Sequence, residues 1–134
     1  KDARIKTSVI ALLGIGGEDL SQQHAQETGK VVNEMAPDYL SMLTLMLVPG
    51  TVLHAQYESG EFRMLGTFEL LNELRRMLTH LTGLSRCIFR TNHASNYVPL
   101  SGTLSRDRER LLARLDAALE AGESALRPEW MRGL

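Results

Sequence analysis

Asn92, His93, Asn96 and Tyr97, with Ser95 among them, crowd side chains that both donate and accept hydrogen bonds into one short stretch. Such a set suits a small polar ligand, while the same asparagines also suit Asx-turns that do no more than close a loop. A second group lies near the start: Leu12, Gly14, Gly16 and Gly17, then the acidic pair Glu18 and Asp19. Glycines ahead of a helix N-terminus can hold an anion or a polar ligand edge. Here two carboxylates occupy that spot, so an amine, a hydroxyl or an adenine N–H fits it better than phosphate. Other chemistry-bearing residues give weaker signals. His24 and Glu27, three apart on a helix, could form half a metal site, but no second pair has matching spacing, and no metal site is expected. Cys87 is the single cysteine, so there is neither a disulfide framework nor a thiolate cage. Set in an apolar run, it reads as a small buried hydrophobe.

Around these residues the chain alternates apolar runs with helical stripes. Val9 to Leu13 is too short for an isolated helix and is bounded by glycines, which fits a strand buried on both faces. A tight turn at Gly14-Ile15-Gly16-Gly17 leads into a helix from Leu20 to Met35, with Gln22 three residues past Asp19 as a capping-box partner. Leu20, His24, Glu27, Val31 and Met35 make its inner stripe, widened by Val32. A second strand spans Asp38 to Val48 and ends at Pro49-Gly50. Its alternation sets Leu40, Met42 and Thr44 on one face and Tyr39, Ser41 and Leu43 on the other, with its methionines as core filler. Thr51 to Gly66 reads as a loop with a short helical turn over Val52–Glu58, whose polar candidates are His54, Tyr57, Glu58 and Glu61.

Thr67 caps a helix with Phe68, Leu71, Leu74, Leu78 and Leu81 inward, closed by Gly83. Leu84 to Arg90 is a third strand, and it runs into the polar stretch that holds His93. A last helix spans Ser105 to Ala121. Its arginines Arg106, Arg110 and Arg114 are interleaved with Asp107, Glu109 and Asp116, the pattern of a solvated face of mixed charge. The tail over residues 122–134 either docks Trp130 or frays. The order is strand–helix three times over, which predicts an α/β fold: a small three-stranded parallel sheet or a partial (β/α) barrel. Loops at the carboxyl ends of parallel strands are where such folds place their sites, and both polar groups fall there.

The whole fits one domain, since 134 residues carry one moderate core and not two. A net charge of −1 argues against an electrostatic nucleic-acid partner. No apolar run approaches the roughly 20 residues of a membrane span. The expected compartment is the cytoplasm. The sequence opens on Lys1 and Asp2 without a methionine, so a piece of a longer protein is the expectation.

Leu13-Gly14-Ile15-Gly16-Gly17-Glu18, the amphipathic helix after it, and the strand ending in Val48-Pro49-Gly50-Thr51 resemble the later part of radical S-adenosylmethionine enzymes. The Asn92-His93-Ala94-Ser95-Asn96-Tyr97-Val98-Pro99-Leu100 stretch, followed by Gly102-Thr103-Leu104, is similar to a bacterial subgroup of them, so the resemblance covers nearly the whole chain. It implies that Leu12, Gly14, Gly16, Gly17 and Glu18 lie against the cofactor's adenine, and that Asn92, His93, Asn96 and Tyr97 face the substrate. The resemblance fails at one decisive point. The three-cysteine motif that holds a [4Fe–4S] cluster is absent, and one thiolate cannot assemble such a cluster. The expectation is therefore the later half of a barrel oxidoreductase, inactive alone, binding no cofactor by itself, its parent using S-adenosylmethionine and the cluster. Left alone, its open sheet edges and apolar face predict self-association. A free-standing α/β module binding a small ligand with Glu18 and His93 is the alternative.

Overall fold

Val9 to Leu13 do form a strand, and the chain folds around it in a computed structural model that describes residues 5–134. Lys1 and Asp2 lie outside the described residues. The elements are β1 (Ser8–Leu13), α1 (Gly17–Met35), β2 (Tyr39–Thr44), α2 (Val52–Glu58), α3 (Thr67–His80), β3 (Ile88–Arg90), β4 (Ser101–Thr103) and α4 (Leu104–Ala121). Two short 3₁₀ turns follow, Gly122–Ala125 and Glu129–Met131. The sheet has the order β1-β2-β3-β4. The first three strands are parallel, with Ser8 opposite Tyr39, Leu13 opposite Thr44, and Tyr39 opposite Ile88.

The fourth strand corrects the expectation of three strand–helix units on a purely parallel sheet. β4 runs antiparallel to β3, pairing Ile88 with Thr103 and Arg90 with Ser101. A polar three-residue strand carrying a glycine has no readable alternation, which is why it was absent from the sequence pattern. Thr91 brings it back: its hydroxyl donates to the Val98 carbonyl and accepts from the Leu100 N–H, while its own N–H reaches the Leu100 carbonyl. β2 and β3 are also shorter than their apolar runs, which extend over Asp38 to Val48 and Leu84 to Arg90.

Successive strand residues face opposite ways. Val9, Ala11 and Leu13, Leu40 and Met42, and Phe89 share the face covered by helices, and Leu40, Met42 and Phe89 have no exposed surface. That face meets Ala25 and Val32 of α1, Leu70, Leu74, Met77 and Leu78 of α3, and Leu111 and Leu115 of α4 in one core. Cys87 is buried in it, as its apolar surroundings predict. The opposite face carries Ile10 beside Ser41 beside Arg90, and Leu12 beside Leu43. None of these joins the core, and Ile10 is 66% exposed. The sheet is therefore one-sided, and the first strand is not buried on both faces.

Two helices depart from their expected stripes. In α1, Leu20, Val31 and Met35 are more than half exposed, and the buried line is Ser21, Ala25, Gly29 and Val32. The reason is close packing on α3: a Cβ on Gly29 would sit 2.6 Å from the Cβ of His80. Bulky residues cannot occupy that seam, so the apolar ones turn outward. Nor does a capping box at Asp19 and Gln22 start the helix. Gly16 is the N-cap, without a side-chain bond, and the Glu18 N–H donates to the Arg63 carbonyl at 2.9 Å. In α3 the N-cap is Gly66 rather than Thr67, its N–H bound by the Glu69 carboxylate. Phe68 faces outward there, and Leu70 and Glu73 are buried instead.

The tail over residues 122–134 docks, though not by Trp130, which is 83% exposed. Arg132 lies over the Tyr97 ring at 3.9 Å and donates to the Ser95 carbonyl, while Arg127 donates to the carbonyls of His93 and Asn96. A guanidinium on an aromatic face with fixed carbonyl partners is a specific clamp.

Candidate functional site at the carboxyl ends of the strands

Both polar groups read from the sequence emerge at one end of the sheet, with Thr44 of β2 between them. The Gly14–Gly17 turn follows Leu13, and the loop bearing Asn92 to Tyr97 follows Arg90. Gly14 turns at φ +83°, and Gly17 opens α1 at φ +60°, the left-handed region that glycine enters without a Cβ clash. A Cβ at Gly17 would meet the Arg63 carbonyl at 2.8 Å and the Phe62 ring at 2.9 Å. One side of the turn is thus filled by this chain's own Phe62-Arg63 segment. Arg63 also pairs with both Glu18 and Asp19, which turns the two expected ligand acceptors toward an internal cation. Gly16, at ordinary φ, packs against Leu20 and His24, and Leu12 lies on the open face of the sheet.

Beneath the turn sits a group that no motif in the sequence marks. Glu73 is fully buried, and its Oε1 accepts the Gly14 N–H at 2.7 Å. His24 Nε2 approaches the same oxygen at 3.8 Å and lies 3.0 Å from the Leu12 carbonyl, and its Nδ1 contacts the Thr28 hydroxyl. The strand end is therefore held from α1 and α3 at once. Among the described residues Glu73 Oε2 has no hydrogen-bond partner. Glu73 falls three residues after Leu70, on the apolar stripe of α3, and that position was the available signal. His24 and Glu27 are not brought together: His24 turns to Leu12 and Thr28, Glu27 pairs with Lys30, and no group of three or more potential metal ligands occurs among the described residues.

The second polar group divides in two. Asn96 and Ser95 are buried and fasten the end of β2. The Asn96 amide donates to the Met42 and Thr91 carbonyls, its oxygen accepts from the Thr44 hydroxyl, and the Thr44 N–H donates to Ser95 Oγ at 3.0 Å. These bonds continue the ladder after β3 has ended, so Asn96 acts as a strut between strand ends. Asn92 and His93 are exposed. His93 Nδ1 accepts the Ser95 N–H and lies 3.0 Å from the Ser95 hydroxyl, which leaves Nε2 as the outward nitrogen. Tyr97 is half-buried under Arg132, and its hydroxyl donates to Glu129. Burial, set against the nearby Arg132 charge, raises the Tyr97 hydroxyl above the ordinary tyrosine range. His54, Tyr57, Glu58 and Glu61 stand on or after α2, which buries none of its residues.

No family model, curated protein or solved structure matches this chain.

Proposed function

We propose that this chain is a wall segment of a larger (β/α) barrel, the later part of a radical S-adenosylmethionine oxidoreductase, and inactive by itself. One observation carries the barrel part: three parallel strands stand in sequential order with their helices on one face and the other face open. Free-standing doubly wound sheets reverse strand order and cover both faces, whereas a barrel wall does neither. The inner face of such a wall would be the row of Ile10, Ser41 and Arg90 with Leu12 and Leu43. The chemistry rests on the resemblance of the glycine turn and of the Asn92–Leu100 stretch.

The donor set of this chain does not fit an iron–sulfur cluster, since Cys87 is alone and buried in the core. The cluster and its chemistry belong to the rest of the parent. The cofactor's adenine would lie along Leu12 on the open face of the sheet, since the inner side of the turn is filled by Leu70 against Gly14 and by Phe62 and Arg63 against Gly17. Asn92 and His93 are the exposed polar groups of the neighbouring loop and would meet substrate. Asn96 and Tyr97 would hold that loop in place.

The test begins with the coding sequence upstream of Lys1, where a Cys-x-x-x-Cys-x-x-Cys motif is expected. A chain extended through it, reconstituted anaerobically with iron and sulfide, should cleave S-adenosylmethionine to 5′-deoxyadenosine. The 134-residue chain alone should stay colourless under the same treatment. A cluster absorption band in the short chain that disappears in Cys87→Ala, or a start codon immediately upstream, would overturn the proposal.

A further inference from the structure

Between the outer edge of the sheet and α4 lies an open groove of about 530 Å³. It is lined by three arginines, Arg90, Arg106 and Arg110, together with the hydroxyl residues Ser101 and Thr103. A single carboxylate, Asp107, stands against three guanidinium groups, and it is already satisfied. It accepts from the Thr103 N–H at 2.8 Å and from Arg106 at 3.1 Å, with Arg110 at 3.5 Å. Those contacts, Arg106 foremost, hold the Asp107 carboxyl well below the usual carboxylate range. Arg90 makes no side-chain hydrogen bond or ion pair among the described residues. Gly102 is what lets the two walls approach: a Cβ there would sit 2.9 Å from Asp107 Cβ and 3.0 Å from an Arg110 nitrogen. In a chain whose net charge is −1, this is a concentrated excess of two positive charges over a concave surface.

We infer that this groove binds a small molecule bearing at least two negative charges, a phosphate ester or a dicarboxylate. Guanidinium groups present paired N–H donors in a fixed plane that matches both oxyanions. Three of them on one groove select a multiply charged ligand over a singly charged one. Ser101 and Thr103 add neutral donors of the kind that orient such a group without cancelling its charge. The site consists of this chain's residues alone.

Inorganic pyrophosphate and succinate, titrated separately into the chain at low salt and followed by amide chemical shifts, test the inference. Saturable shifts at Arg90, Gly102 and Thr103 with either probe support it, and the tighter probe identifies the class of oxyanion. Arg90→Gln should weaken binding about tenfold, the loss of one charge-assisted contact. Asp107→Asn keeps an acceptor for the Thr103 N–H while removing the opposing charge, and should tighten binding by about threefold or more. Arg76→Gln, on the outer side of α3, should leave affinity unchanged. Absence of saturation by both probes up to about 10 mM would overturn the inference. So would equal affinities in the wild type, Arg90→Gln and Asp107→Asn.

Discussion

Glu73 Oε1 takes the backbone N–H of Gly14 across 2.7 Å, although 59 positions separate the two residues in the chain. The bond ties the middle of α3 to the exit of β1 and satisfies the turn amide of Gly14 with a side chain. Losing a buried acceptor strands its donor, and truncation to alanine also opens a cavity. Glu73→Ala should therefore cost about 2–4 kcal/mol of stability in urea unfolding. Glu73→Gln, which keeps an acceptor and the volume, should cost about half of that or less. Equal losses in the two variants would show that the Gly14 contact contributes nothing.

The two glycines that end the first turn should differ sharply. Gly17 combines positive φ with carbonyl and ring atoms closer than any real Cβ tolerates, whereas Gly16 has an ordinary φ of −79° and contacts no nearer than 3.2 Å. Gly17→Val is expected to cost more than about 2 kcal/mol, from left-handed strain and displacement of Phe62 and Arg63 together. Gly16→Ala should cost less than about 1 kcal/mol. Thermal melts of the two variants check the order, and its reversal would mean that the turn is built differently.

Cys87 should make the fold sensitive to alkali. Its burial first, and the negative charge of Asp38 second, push the thiol up to about 11. A thiol that holds its proton more tightly folded than unfolded stabilises the native state below its unfolded pKa. That contribution is lost as pH climbs from about 9 through the folded value. The stability difference between wild type and Cys87→Ala should be constant up to about pH 8.5 and shrink steadily above it. A pH-independent difference up to pH 11 would rule this out.

The open face of the sheet carries its own test. Ile10 is exposed on β1, the edge strand, with the pair Leu12 and Leu43 further along the same face. An uncovered apolar strand at a sheet edge invites pairing with a second copy. Light scattering coupled to size exclusion should find the chain self-associated at micromolar concentration. Ile10→Lys, which adds a charge where no core contact is lost, should return it to a monomer without lowering its melting temperature. A monomeric wild type would favour a self-sufficient module over a barrel segment.

Elements under the control of neighbouring residues alone are legible along the chain. Val52–Glu58 is a helix because Thr51 caps it, its hydroxyl accepting the His54 N–H, and α4 ends at Gly122 because φ there is +72°. The alternation of Leu40, Met42 and Thr44 is likewise legible, since a strand presents every second residue to one side. Other features depended on what stood opposite. Ser21, Ala25, Gly29 and Val32 line the buried seam of α1 only because His80 of α3 approaches so closely. Composition along one helix cannot reveal the distance to its neighbour. The antiparallel return of β4, the strut made by Asn96 and the burial of Glu73 arise from bonds between residues tens of positions apart. The arginine groove is of the same kind. Along α4 alone, Arg106 and Arg110 read as a solvated face of mixed charge. Arg90, brought beside them by the pairing of β3 with β4, tips the balance of charge toward an anion.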